Sequence, residues 1–133
     1  MKNSINDAIQ DLELQDFSVG NDLVFLPDFL KSFTGLFKGK VYTAKEIEYC
    51  ELFDDAILRY ASTWAAKEAV YKAIKQLYER PLAFKKIEIT RSKIAGIPKV
   101  KLPDIYSDIE ISLSITHDKD YAFAIALVKR KYD

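Results

Sequence analysis

Two carboxylates far apart in the chain, Asp22 and Glu68, sit where a carboxylate can do chemistry. Glu68 lies within WAAKEAVYKA (Trp64 to Ala73), a stretch that reads as a helix with a small, largely apolar surface. Lys72 follows four residues later and shares the face of Glu68. A carboxylate beside tightly packed alanines is costly unless it is paired or binds a metal. Asp22 follows Gly20-Asn21 inside a strand-like segment, Phe17 to Leu26. A glycine within a strand marks a bulge or a close backbone approach. If that strand packs beside the helix, the carboxylates meet. Two carboxylates completed by water and phosphate oxygens suit Mg²⁺, and Lys72 would then neutralise a phosphate on the same metal. The plainer alternatives are a Glu68–Lys72 helix pair at the rim of a core and an edge carboxylate at Asp22.

His117, the only histidine, ends a strand after Ser114-Ile115-Thr116. Ser114 and Thr116 face the same side as one another and can donate to a phosphate. A lone histidine at a turn ordinarily has no task beyond solvation. The chain shows no Cys/His metal cluster, nucleophile elbow or Walker loop, and its four glycines form no glycine-rich phosphate loop.

These residues need elements to carry them. Ile5, Ala8, Ile9 and Leu12 recur at helical spacing and predict a short amphipathic helix within residues 1–16. Pro27 opens a short helix, PDFLKSF, and Gly35 and Gly39 punctuate a loop. Thr43 and Glu46 form a capping box before another helix, and a longer helix runs from about Asp54 to Leu77. The last third alternates with period two. Ile87 and Ile89, then Ile109 to Ile115, then Tyr121 to Leu127 predict strands, the final pair a hairpin around His117 to Asp120. GIPKVKL adds a turn and a short strand. Helices followed by strands indicate an α+β fold, an antiparallel sheet packed with the long alanine-rich helix. The row Ala122, Ala124, Ala126 offers that helix a flat seat.

The 133 residues suit one domain and, at 49% hydrophobic, can bury a core. Twenty basic and twenty acidic residues cancel, so no basic field points to nucleic acid. The lone Cys50 rules out an internal disulfide framework and fits a reducing cytoplasm. No apolar run is long enough for a membrane span, and MKNSINDAIQ lacks signal-peptide order.

Taken in order, the motifs resemble the 4′-phosphopantetheinyl transferase superfamily, in its small holo-acyl-carrier-protein synthase type. Gly20-Asn21-Asp22-Leu23 is similar to the family's Gly-x-Asp-Ile strand, and Val41 to Glu46 to its hydrophobic-Phe-Thr-x-x-Glu segment. Ala66 to Ala69 with Lys72-Ala73 is similar to the Ala-Lys-Glu-Ala-x-x-Lys-Ala helix. Gly96-Ile97-Pro98 resembles Gly-x-Pro, and Ser114 to His117 with Asp120-Tyr121-Ala122 resembles the closing hairpin.

The resemblance implies transfer of the phosphopantetheine arm of coenzyme A to a serine of an apo acyl carrier protein. Such transfer serves fatty-acid or polyketide biosynthesis. It implies Mg²⁺ on Asp22 and Glu68, catalytic roles for Glu68, Lys72 and His117, and coenzyme contacts from Lys72, Ser114, Thr116 and His117. It implies a homotrimer with the coenzyme between subunits, and residues 17–133 as one transferase-like domain after an N-terminal extension. The chain departs from the pattern at Ile74 to Leu77, where the family has a Gly-Thr-Gly-like loop. It departs at Thr63, where the family often has a basic residue, and at Asp28, where it often has an arginine. An alternative of another class is a non-catalytic trimeric scaffold or carrier-binding relative.

Overall fold

Period-two alternation becomes a three-stranded antiparallel sheet of β1 (Phe17–Phe25), β4 (Ile109–Asp118) and β5 (Tyr121–Arg130), in the order β1-β5-β4. The structure is a computed structural model that describes residues 16–92 and 96–131. The helix expected over Ile5 to Leu12 lies outside these residues. β2 (Glu88–Thr90) and β3 (Lys99–Lys101) form a separate two-stranded ribbon. The β4–β5 hairpin turns at Lys119-Asp120, with Lys119 in the left-handed region at φ 53°.

The helices are α1 (Leu26–Ser32), α2 (Gly35–Val41), α3 (Ala44–Cys50) and α4 (Ala56–Lys75). α1 begins with its proline in the first turn. α2 corrects the expected loop at Gly35 and Gly39. Thr34 caps it, accepting from Phe37 N at 3.2 Å, and Phe37 packs among the rings of Phe29, Phe33, Tyr42 and Trp64. Packing of that partly buried aromatic overrides the poor helix propensity of the two glycines. The capping box forms as expected, with Thr43 Oγ1 accepting from Glu46 N and Glu46 Oε1 from Thr43 N.

α4 is the central element. It lies on the sheet face lined by Ala122, Ala124, Ala126 and Val128, all essentially without solvent exposure. Its own Ala61, Ala65, Ala66, Ala69 and Ala73 are equally buried, so the helix is enclosed on several sides. At Gly20 the helix backbone touches the strand. A β-carbon there would sit 2.0 Å from Ala69 O and 2.7 Å from Ala73 N.

A buried ion pair ties α3 to α4. Lys67 Nζ meets Glu46 Oε1 at 2.7 Å and donates to Phe84 O and Ile87 O, while Glu46 Oε2 accepts from Ile89 N. Burial pushes the Glu46 carboxyl up and the Lys67 ammonium down, against the attraction of each for the other.

Candidate active site

Strand β1 turns Ser18, Gly20, Asp22 and Val24 toward α4, so Asp22 is held at the helix although it is ionisable. Glu68 is carried on α4 one residue before Ala69, where strand and helix are in contact. The two carboxylates line one open cleft of about 390 Å³, whose other walls include Phe25, Phe29, Phe37 and Trp64, with Asp28 among its lining residues.

Lys72 Nζ donates to Asp22 Oδ1 at 2.9 Å and to Asn21 O at 3.1 Å. The simple Glu68–Lys72 pair is therefore not what forms, because the lysine reaches across to the strand. Its ammonium is held up in pKa, first by the bond to Asp22. Asp22 Oδ2 is buried and has no hydrogen-bond partner. The Glu68 carboxyl is pushed up to about 8, first by burial and then by the neighbouring Asp22 carboxylate. A pair of crowded carboxylates with one unpartnered buried oxygen offers oxygen donors of the kind that can hold a hard divalent cation. Among the described residues, no group of three or more His, Cys, Asp or Glu side chains could hold a metal. The described residues therefore form no all-protein metal cage there.

The other expected residues lie elsewhere on the chain. His117 lines a second cleft with Tyr49, Arg59, Ser62, Thr63, Arg91 and Ile115, which shares no residue with the first. Ser62 Oγ is buried there without a partner. Arg59 pairs with Asp55 at 3.2 Å, and the Arg91 guanidinium lies 5.3 Å from the Tyr49 ring centre. Ser114 pairs with Ile125 and Thr116 with Phe123, so both hydroxyls belong to the opposite sheet face from Asp22, which pairs with Ala124. Within one chain, Asp22, Glu68 and Lys72 come together, and His117, Ser114 and Thr116 do not join them.

Arg59 and Arg91 were not anticipated. Arg59 sits one turn before Thr63 on the same helix, so helical spacing could have placed it beside the position where a basic residue was missed. Arg91 arrives from the end of β2, and nothing local signals that.

The 4′-phosphopantetheinyl transferase superfamily pattern matches residues 18–126. The chain belongs to that superfamily, as a transferase of the holo-acyl-carrier-protein synthase type. It is 34% identical over 120 residues to the holo-[acyl-carrier-protein] synthase of Aquifex aeolicus, covering 85% of this chain and 98% of the relative. The Chlamydia caviae synthase is 32% identical, over 86% of this chain and 98% of its own. Among solved structures, the ACPS–CoA complex of Chronobacterium ammoniagenes superposes with a TM-score of 0.75 at 30% identity, covering 87% and 98% of the two chains. The transferase's sheet and long helix are those of its structural neighbours.

Proposed function

We propose that this chain transfers the 4′-phosphopantetheine arm of coenzyme A to a serine of an apo acyl carrier protein in the cytoplasm, with Mg²⁺ held by Asp22 and Glu68. The observation that carries the reading is the unpartnered, buried Asp22 Oδ2 beside a Glu68 carboxyl that resists ionisation. Bound there, the cation would supply charge neutralisation on the coenzyme's pyrophosphate. The relatives named as holo-acyl-carrier-protein synthases and the neighbour solved with coenzyme A support the substrate pair.

The chain's own groups have definite tasks in this reaction. The serine oxygen bonds to the pantetheine phosphorus, the pyrophosphate P–O bond breaks, and adenosine 3′,5′-bisphosphate leaves as the serine loses its proton. Lys72, with an exposed ammonium anchored to Asp22 and Asn21 O, stands where it can meet the charge that grows on the phosphate oxygens. Positioning and charge neutralisation suffice, and no covalent enzyme intermediate is needed.

The second cleft enters through assembly. His117, Arg59 and Arg91 suit an anionic group, but they lie apart from Asp22 and Glu68 in the chain. We infer a homotrimer in which this cleft of one subunit faces the carboxylate cleft of the next, with Ser114 and Thr116 at the boundary. The open face of the sheet supports it: Phe17, Val19, Leu23, Phe25, Tyr121, Ile125 and Leu127 are each 38–61% exposed.

Mass spectrometry provides the test. The protein is incubated with coenzyme A, Mg²⁺ and a panel of apo carriers, and the phosphopantetheine increment is expected on a carrier serine. An absence of the increment on every carrier, with carrier binding intact, would favour the non-catalytic scaffold.

A further inference from the structure

We infer that Gly20 is a positioning residue for the reaction: the absence of its side chain seats α4 directly on β1 and so sets the separation of Asp22 and Glu68. The inference rests on the proposed role of that carboxylate pair. A β-carbon at position 20 would stand 2.0 Å from Ala69 O and 2.7 Å from Ala73 N. Both obstacles are backbone atoms, so no rotamer change relieves them. Ala69 follows Glu68 and Ala73 follows Lys72, so the contact spans the turn that carries both functional side chains.

The same seam is laced by polar bonds between β1 and α4 with its C-cap residue Gln76. Ser18 Oγ donates to Ala73 O at 2.6 Å, Lys72 Nζ to Asn21 O at 3.1 Å, and Gln76 Nε2 to Val19 O at 2.8 Å. These bonds define the register along the strand, and Gly20 defines the depth. Helix and strand must separate by about 1 Å for a β-carbon to fit. A displacement of about that size is enough to cost on the order of 100-fold in rate when it moves catalytic groups.

The experiment compares the full-length protein with Gly20→Ala. Mn²⁺ affinity is measured by calorimetry, and transfer to an apo carrier by initial rates. We expect cooperative melting to persist, Mn²⁺ affinity to fall at least about 10-fold and kcat about 100-fold, with KM for the carrier little changed. A purely structural glycine would lower the melting temperature and leave Mn²⁺ affinity and kcat at their original values, and that result overturns the inference.

Ser18→Val places a second wedge in the same seam, and an intermediate loss of Mn²⁺ affinity is expected. If Gly20→Ala does not fold, a folded Ser18→Val protein with unchanged Mn²⁺ affinity and rate overturns the inference equally. Failure of the unsubstituted protein to bind Mn²⁺ or to transfer would strike the proposed function instead. The seating of α4 is then read from a crystal structure of the variant, where an unmoved helix with Lys72 still on Asp22 is the overturning result.

Discussion

At the scale of single residues, the site is a contest between two carboxylates and one ammonium. Lys72 neutralises one oxygen of Asp22 and leaves the other without a partner, while Glu68 is held back from ionising. Lys72→Ala is expected to retain its fold, because the side chain is about half exposed, and to lose roughly 100-fold or more in kcat. Near-normal turnover in that variant would reduce Lys72 to an ion-pair partner of Asp22. Glu68 also makes stability depend on pH. Its folded pKa of about 8 lies above the unfolded carboxylate value, so the folded state keeps a proton that the unfolded state has released. That contribution is complete below about pH 4.5 and is lost as pH rises toward 8. Metal-free protein should therefore melt at a lower temperature at pH 8 than at pH 6. Glu68→Gln should lessen that difference, and added Mg²⁺ should restore the unsubstituted protein at pH 8 but not the variant. Identical pH profiles for the two proteins would show that the carboxylate is not strained.

At the scale of elements, α4 is gripped on two sides. β1 holds it through Gly20, and the Lys67–Glu46 pair holds it to α3 and to the segment from Phe84 to Ile89. Both charged side chains of that pair are essentially without solvent exposure. Removing one partner strands the other as a buried charge, which typically costs about 3–5 kcal/mol. Lys67→Ala should lower the unfolding free energy by about that much, measured by urea denaturation. A loss below about 1 kcal/mol would mean that water or a rearranged side chain compensates.

At the scale of the whole molecule, the open apolar sheet face and the separation of the two clefts point to one arrangement. In the proposed trimer, Leu127→Asp on that face should shift the protein to monomer in sedimentation and abolish transfer, although Leu127 lines neither the carboxylate cleft nor the His117 cleft. Complementation tests the shared site more directly. Glu68→Gln and His117→Ala proteins are each expected to be impaired, and subunit exchange between them should recover part of the activity. No recovery in demonstrably mixed assemblies would show that both residues act within one subunit and would count against the proposed trimer. The described residues contain no helix long and apolar enough to cross a membrane.

Much of this was legible from the sequence because it is encoded by short-range periodicity. Alternation in Ile109 to Leu127 predicts the hairpin, the small residues of WAAKEAVYKA predict a closely packed helix, and Thr43 with Glu46 predicts the cap. The approach of Asp22 to Glu68 was also anticipated, from a glycine in a strand and an alanine surface that each implied contact. Other features were settled only by tertiary packing. The glycines at 35 and 39 sit in a helix because Phe37 packs against Phe29 of α1, Trp64 of α4 and Tyr42 just before α3. Lys72 chose Asp22 over Glu68 because the strand edge lies within its reach. Ser114 and Thr116 fell on the far face of the sheet because strand register assigns sides in pairs, and the motif alone contains no register. That Arg91, 26 residues earlier in the chain, lines the same cleft as His117 was likewise decided by tertiary packing, which no local pattern encodes.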